Sequence, residues 1–178
     1  MPKEFIITMA AANRAGILAA VTRAMTELGG DLREASQTVV RGFFTMIFST
    51  EFPDAMDASV VRDHLLDACR PFGIELSVRD PSAHLPVYTA ATANTRQYRL
   101  RIGGQNQPGI LRKLSLVMSL KGIDISGMHA VRMDEGQKFE LVMKLAIPQD
   151  CPIDSLLHEL NDAGREFNVT AELREAGE

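Results

Sequence analysis

Residues 98–111 read Tyr98-Arg99-Leu100-Arg101-Ile102-Gly103-Gly104-Gln105-Asn106-Gln107-Pro108-Gly109-Ile110-Leu111, and an earlier part of the chain repeats their pattern. The earlier stretch is Phe5-Ile6-Ile7-Thr8-Met9-Ala10-Ala11-Ala12-Asn13-Arg14-Ala15-Gly16-Ile17-Leu18, offset by 93 residues without a gap. The same offset places Gly29 opposite Gly122 and Asp31-Leu32 opposite Asp124-Ile125. Self-similarity at a fixed spacing indicates duplicated structural units. The sequence therefore predicts a tandem repeat of two domains.

Each copy begins with a strand that leads into a helix. In the second copy Tyr98, Leu100 and Ile102 alternate with Arg99 and Arg101, which is typical of a strand with one buried face. A buried helical stripe follows in both copies. Its members are Ile17, Leu18, Val21, Met25 and Leu28, and then Ile110, Leu111, Leu114, Val117 and Met118.

The remainder of each copy predicts two strands, a helix and a closing strand. The strand pairs cover residues 31–41 and 43–52, and residues 124–133 and 138–147. The second helices carry Val61, Leu65, Cys69 and Phe72, and Ile153, Leu156, Leu157, Leu160 and Phe167; the closing strands cover residues 74–78 and 169–173. The order β-α-β-β-α-β, twice, predicts an α+β fold of two ferredoxin-like domains, each a four-stranded antiparallel sheet with both helices on one face.

The predicted domain boundaries follow from where this periodicity stops. Residues 1–80 form the first domain and residues 97–178 the second. Residues 81–96 are rich in Ala, Thr and Pro and show neither the strand nor the helix periodicity, so we expect a linker there.

Composition excludes several classes of function. The net charge of −4 comes without a basic run, which argues against autonomous nucleic-acid binding. The chain has no apolar stretch approaching the roughly 20 residues that span a bilayer, and its start does not resemble a signal peptide. We therefore expect a soluble cytoplasmic protein. Two distant cysteines, Cys69 and Cys151, favour neither a disulfide framework nor a zinc site, and we expect no metal or cofactor.

The two strand-to-helix turns are the most informative segments for function. They are Asn13-Arg14-Ala15-Gly16 and Asn106-Gln107-Pro108-Gly109. A helix N-terminus presents free backbone N–H groups at its positive end, and these suit a carboxylate or a phosphate. The alternative interpretation is a plain helix start, in which Asn caps the helix and Gly permits close packing. The recurrence of the turn does not distinguish an anion site from a plain helix start, because duplication also copies structural turns.

The two copies resemble the ACT-domain family. The matching residues are Asn106, Pro108-Gly109-Ile110-Leu111 and Gly122-Ile123-Asp124-Ile125, with a weaker match at Asn13, Gly16-Ile17-Leu18 and Gly29-Gly30-Asp31-Leu32. Within that family, two such domains filling a chain of this size look most like the glycine cleavage system transcriptional repressor group. The resemblance implies a non-catalytic regulatory module that pairs side by side with another ACT domain.

The resemblance also implies a ligand site. Family ligands, usually free amino acids such as glycine or serine, bind between the first loop of one domain and the start of the second strand of its neighbour. Carried over, the loop candidates are Asn13, Arg14, Ala15, Gly16, Ile17 and Leu18, with Asn106, Gln107, Pro108, Gly109, Ile110 and Leu111. The strand-start candidates are Asp31 and Leu32, with Asp124 and Ile125.

The chain departs from the family pattern at three places. Ala15 stands where Pro is usual, Asn13 and Asn106 stand where Asp is frequent, and Asp31 and Asp124 stand where Asn is frequent.

These departures shape a hypothesis for how an amino acid would bind. Its carboxylate would meet N–H groups near Gly16 or Gly109, its ammonium would meet Asp31 or Asp124, and the loop asparagines would bond either end. The alternative for both aspartates is a solvated turn carboxylate.

Three classes of function stay open. A regulator that acts through a protein partner, such as a DNA-binding regulator or a metabolic enzyme, is favoured because no nucleophile and base converge. A pure interaction module would have lost its ligand. A small hydrolase would need an anion-binding Arg and a water-orienting Asn, for which Arg14 and Asn13 are candidates. The four histidines are dispersed without metal-ligand spacing.

Assembly as a homodimer, or pairing of the two ACT domains within one chain, is expected. On the outward sheet faces the first copy carries Ile6, Ala10 and Ile47, and the second carries Arg99, Arg101, Glu140 and Lys144. The first copy therefore has the more apolar face for a partner or a second subunit.

Overall fold

The computed structural model describes residues 2–53, 56–82 and 94–177, in two compact units. The units span Met1–Pro86 and Val87–Glu178 and are called here the first and second domains. Most of the predicted linker, residues 83–93, lies outside the described residues. Its last two residues differ from the prediction, since Thr95 and Arg96 pair with Pro148 and Ile147 as the start of a strand.

Each domain has six elements in the predicted order. In the first domain they are β1 (Lys3–Ala12), α1 (Ile17–Glu27), β2 (Asp31–Val40), β3 (Phe43–Phe52), α2 (Ala58–Ala68) and β4 (Glu75–Arg79). In the second they are β5 (Thr95–Gln105), α3 (Ile110–Leu120), β6 (Asp124–Met133), β7 (Lys138–Pro148), α4 (Ile153–Arg165) and β8 (Val169–Glu175).

Both sheets are antiparallel and share one topology. The strand orders are β2-β3-β1-β4 and β6-β7-β5-β8, so β2 and β6 are outer strands. β2 has a bulge between Leu32 and Glu34, and β6 has one between Ile125 and Gly127. This arrangement is the predicted ferredoxin-like fold, present twice.

A separate hydrophobic core holds each domain together. In the first domain alternate residues of β1, Phe5, Ile7 and Met9, are buried together with Val21 of α1 and Leu65 of α2. Because residues on the intervening positions of β1 are more exposed, both helices cover the same sheet face. The second core repeats the design with Leu100, Ile102, Leu114, Met118 and Leu160 among its members.

The end of the second helix differs from the prediction. Cys69 and Phe72 were expected on one helical stripe, but α2 ends at Ala68 and a 3-10 turn covers Arg70–Phe72. Pro71 supplies the reason, because its ring removes a backbone N–H and disfavours continuation of an α-helix. Cys69 is nevertheless fully buried in the core.

The turn after α1 requires glycine at residue 30. The Gly30 N–H donates to the Met25 carbonyl at 2.8 Å and closes the helix. A Cβ at this position would lie 2.6 Å from Cε1 of Phe52 and 2.8 Å from Cγ2 of Thr50. The helix therefore ends against the core with no room for a side chain.

Thr50 gives a test of this core. Its side chain is fully buried, and its hydroxyl has no hydrogen-bond partner among the described residues. We expect Thr50→Val to raise the free energy of unfolding by about 1 kcal/mol, because the shape is kept and an unpaired buried hydroxyl is removed.

Chemical denaturation measures this change, with Thr45→Val as the matched control. Thr45 lies on the same strand but is exposed, so its change should stay within about 0.5 kcal/mol. Destabilisation by Thr50→Val would show that the hydroxyl has a partner after all.

Candidate functional site

Both β-to-α loops end in a helix start without a side-chain cap. Gly16 and Gly109 are the N-cap residues, with φ of 97° and 95°, and no side chain accepts from the first helical N–H groups. Neither helix has an acidic residue in its first turn. The Asn cap of the alternative interpretation is therefore wrong, because a left-handed glycine takes the N-cap position. The first N–H groups are left for an anion or for water.

The loop asparagines tie each loop to the neighbouring hairpin. The N–H of Asn13 donates to the Gly42 carbonyl at 2.8 Å, and the N–H of Asn106 donates to the Gln137 carbonyl at 2.8 Å. The side-chain amide of Asn106 also donates to the Gly136 carbonyl at 3.0 Å. These hairpins were not among the predicted site residues. Their signal in the sequence was Gly42 and Gly136 at corresponding turns.

An aromatic ring lies beside each N-cap glycine. A Cβ on Gly16 would be 3.5 Å from the ring of Phe72, and one on Gly109 would be 3.8 Å from the ring of Phe167. Sequence reasoning placed both rings in the core stripes of the second helices and missed this contact. Each loop therefore rests on the turn that precedes the closing strand of its own domain.

Cations lie around these helix starts. Arg14 donates from Nη1 to the carbonyl of Pro71 at 3.5 Å, which holds its guanidinium at the loop. Lys113 forms an ion pair with Glu166, and its Nζ lies 5.7 Å from the ring centre of Phe167. Arg14 has no carboxylate partner among the described residues, so the electrostatics of the first helix start favour a carboxylate or phosphate, whereas Glu166 already balances Lys113 at the second.

The predicted loop residues divide into buried and exposed groups. The side chains of Ile17 and Ile110 are buried in the two cores and cannot face a ligand. Leu18 and Leu111, one position later, are 47% and 40% exposed. Asn13, Arg14, Ala15, Asn106 and Pro108 are exposed, and Gln107 is half-buried and donates to Gln105 at 3.1 Å.

The strand-start residues lie at the far end of the sheet from the loops. Asp31 pairs with Glu51, which pairs with Glu4 at the beginning of β1, whereas the loop follows Ala12 at its end. From Glu4 to Ala12 a strand rises about 26 Å. Asp124 is displaced in the same way, because its partner Ala146 pairs with Gln97. Within one domain the structure therefore does not bring the two halves of the predicted site together.

The two strand-start aspartates differ in their surroundings. Arg33 lies 3.2 Å from Oδ2 of Asp31 and 3.0 Å from Oε2 of Glu51, so it bridges both carboxylates. At the corresponding position the Ser126 hydroxyl donates to the Lys144 carbonyl at 3.3 Å and, within the described ranges, to no carboxylate. The half-buried Asp124 side chain makes no hydrogen bond or ion pair with any described residue. Asp124 therefore keeps an unshared negative charge, and Asp31 does not.

The neighbouring Leu32 is 37% exposed on β2. Ile125 is half-buried and packs against the second core.

Other reactive groups do not gather into a second site. Cys69 and Cys151 are free and buried, and burial raises the pKa of both thiols. His64 and His158 pair with Glu27 and Asp162, while His84 lies outside the described residues. In the part of the chain that the structure describes, no three His, Cys, Asp or Glu side chains are arranged to hold a metal ion. Within those same ranges no helix is long and apolar enough to cross a membrane.

The loop-to-hairpin contact yields a paired prediction. Asn106→Ala removes the side-chain bond to Gly136, so we expect a loss of about 0.5 to 1 kcal/mol in the stability of the second domain. Asn13→Ala is the control, because the Asn13 side chain has no partner among the described residues. Denaturant unfolding of both variants measures the difference. Equal losses in the two variants would contradict a role for the Asn106 amide.

The sequence of the chain is similar to those of UPF0237 proteins. It is 34% identical to a UPF0237 protein of Methanosarcina acetivorans over 77 residues, which are 43% of this chain and 84% of that protein. No family model matches the chain.

Two solved structures match the whole chain. An unknown protein from Galdieria sulphuraria has a TM-score of 0.81 at 21% identity, covering 99% of both chains. A candidate glycine cleavage system transcriptional repressor has a TM-score of 0.70 at 14% identity, covering 99% of this chain and 98% of that one. These likenesses confirm the predicted tandem ACT-type fold. The chain belongs to the UPF0237 protein family.

Proposed function

We propose that the chain is a non-catalytic regulatory protein that binds a free amino acid, such as glycine or serine, and acts through a protein partner. The observation that carries this proposal is that the fold presents two uncapped helix starts and, at Asp124, a carboxylate without a partner among the described residues. An amino acid has one anionic and one cationic group. A helix start suits its carboxylate, and the Asp124 carboxylate suits its ammonium.

The anionic end of the ligand belongs at the helix start. The N–H groups that follow Gly109 have no capping side chain, and a carboxylate there would also face the partial positive charge of the helix. Leu111, the second residue of α3, is 40% exposed beside this helix start.

The cationic end belongs at Asp124. Because this carboxylate is half-buried and no described residue forms an ion pair with it, an ammonium would gain a charge-assisted hydrogen bond without displacing any of those residues. At Asp31 the ammonium would have to compete with Arg33, which lies 3.2 Å away. The two strand starts are therefore unequal, and the one at Asp124 is the stronger ammonium site.

Two ACT-type units are needed to complete one site. A loop and a strand start of the same unit are separated by the length of a strand, about 26 Å, which no free amino acid spans. Side-by-side pairing through the outer strand of another unit would bring a loop to a foreign strand start. The second unit comes from the same chain or from a homodimer.

A protein partner fits the regulatory role better than DNA. The net charge is −4, and a surface that binds phosphates needs clustered Lys and Arg. The ligand would then shift the equilibrium of the complex with a DNA-binding regulator or a metabolic enzyme. The likeness to a candidate glycine cleavage system transcriptional repressor supports glycine as the first ligand to test.

The alternatives have weaker support. The bridge from Arg33 to Asp31 favours an interaction module in which the first-domain strand start binds no ligand. A hydrolase would need Arg14 aimed at an anion, whereas Arg14 donates to the Pro71 carbonyl. Phosphatase and esterase assays should therefore show no turnover.

A matched pair of variants tests the ammonium contact. We expect Asp124→Asn to raise the dissociation constant for glycine or serine by about tenfold, because a charged acceptor becomes neutral. Asp31→Asn should change it by less than about threefold, since Arg33 already pairs with that carboxylate. Isothermal titration calorimetry measures both. An unchanged affinity in Asp124→Asn would remove the proposed contact.

A thermal-shift screen against the twenty amino acids tests the sensor itself. A ligand at a hundred times its dissociation constant should add about 2.7 kcal/mol and raise Tm by a few degrees. A flat screen at millimolar ligand would favour the interaction module instead.

A further inference from the structure

Each sheet has an open face, which is the side turned away from its two helices. On the open face of the second domain, strand pairing places Arg174 of β8, Arg99 of β5 and Lys144 of β7 side by side. All three side chains are exposed. Neighbouring strands lie about 4.8 Å apart, so the three positions span about 10 Å across the sheet. These three residues are called here the cation row.

The charge of the cation row is poorly balanced by its surroundings. Within the described ranges neither the Arg99 nor the Lys144 side chain forms an ion pair. Arg174 lies 3.6 Å from Oε2 of Glu172, and both of those side chains are exposed, so that pair is weak. Like charges directly opposite each other in a sheet are destabilising. An anionic partner would therefore relieve a repulsion that the free domain carries.

The first domain has the same row without this charge. Arg79, Ile6 and Ser49 hold the corresponding positions, and Glu34 continues the row on the outer strand β2. In the second domain Gly127 stands where the first has Glu34. The second domain thus has two additional cations in this row and lacks its carboxylate. The cation row is therefore a property of the second domain and does not follow from the shared fold.

The cation row is one residue wide, because carboxylates lie on both sides of it. Asp124 lies in the next row toward the start of β6, since its partner Ala146 is two residues from Lys144 on β7. Glu172 lies in the next row in the other direction, two residues from Arg174 on β8. A single acidic stripe fits between these carboxylates, whereas a broad polyanion would be repelled by them.

We propose that the cation row binds an acidic helix of a partner protein, which lies across the strands of the open face. Carboxylates at positions i, i+4 and i+7 of a helix form a stripe about 10.5 Å long, which matches the length of the row. Apolar side chains beside the row, the half-buried Val142 and the 45% exposed Val131, would contact apolar residues next to that stripe. This inference rests on the proposed function for its protein partner.

Nucleic acid suits this face less well than an acidic helix. Single strands bind to sheets by stacking their bases on aromatic side chains. The strand alternation turns the rings of Tyr98 and Phe139 into the core, away from the open face. The sequence pattern favoured the first copy as the partner face on its apolar residues, and strand pairing adds a charge argument for the second.

A synthetic helical peptide tests the proposal. It has about 20 residues, with glutamates at i, i+4 and i+7 and leucines beside them. Fluorescence anisotropy with the full chain should show binding that weakens as salt is added. We expect Arg99→Gln and Lys144→Gln each to raise Kd by roughly tenfold. Arg132→Gln is the matched control, with a change of less than about threefold, because Arg132 is exposed and pairs with Phe139 on the other face of the same sheet.

Chemical denaturation of the same variants separates binding from folding. Because Arg99→Gln removes a like-charge contact, its unfolding midpoint should rise while peptide binding falls. A wild-type protein that does not bind the peptide, or binds a companion peptide with glutamines in place of the glutamates equally well, overturns the proposal. An equal loss of binding in Arg132→Gln overturns it too.

Phosphate ligands provide a further comparison. Tighter binding of a single-stranded oligonucleotide or of inorganic triphosphate than of the peptide would replace the acidic helix by a phosphate ligand and overturn the proposal. The anisotropy samples contain no amino acid. Failure of the peptide to bind therefore says nothing against the amino-acid site, and a flat amino-acid screen says nothing against the cation row.

Discussion

Each sheet buries one of its two faces beneath a pair of helices, and the alternating side chains of the central strands make this burial possible. Phe5, Ile7 and Met9 in the first domain, and Leu100 and Ile102 in the second, fix which face is buried. A shift of one residue would turn these side chains to the opposite face, so the register is strongly determined. The position of the loops, the strand starts and the open faces all follow from that register.

The two domains have the same strand topology but differ in the side chains that they carry. Thr50 is buried where the second domain has Leu145. Arg33 pairs with Asp31, whereas Ser126, at the corresponding position, leaves Asp124 without a partner among the described residues. The open faces diverged further, one toward hydroxyl and apolar groups and the other toward ion pairs. Each domain therefore serves as a control for the other, because the same position can be compared in two surroundings.

The fold could be predicted from the sequence because its signals are local. The strands were predicted from alternating apolar residues and the helices from apolar residues at helical spacing. Because the unit is repeated, each element could be predicted from two stretches of sequence. The errors lie at the ends of elements. The second helix was predicted to include Cys69, but it ends at Ala68, close before Pro71. Thr95 was predicted to lie in the linker, but it pairs with Pro148, 53 positions later.

The candidate site was less accessible to sequence reasoning, because its contacts join distant parts of the chain. The bond from Asn106 to the Gly136 carbonyl and the contact of Gly109 with Phe167 depend on tertiary structure. The bridge from Arg33 to Glu51 depends on the bulge in β2. The same residues were available in the sequence, but nothing in their spacing shows that they meet.

The outer strand β2 has a consequence for how the protein behaves while it folds. Ala35–Val40 is a run without charge or proline, and its free edge can hydrogen-bond to any extended chain. The matching segment of β6 carries His129 and Arg132, which discourage such pairing. The first domain is therefore the aggregation-prone half of the chain until its outer strand is covered.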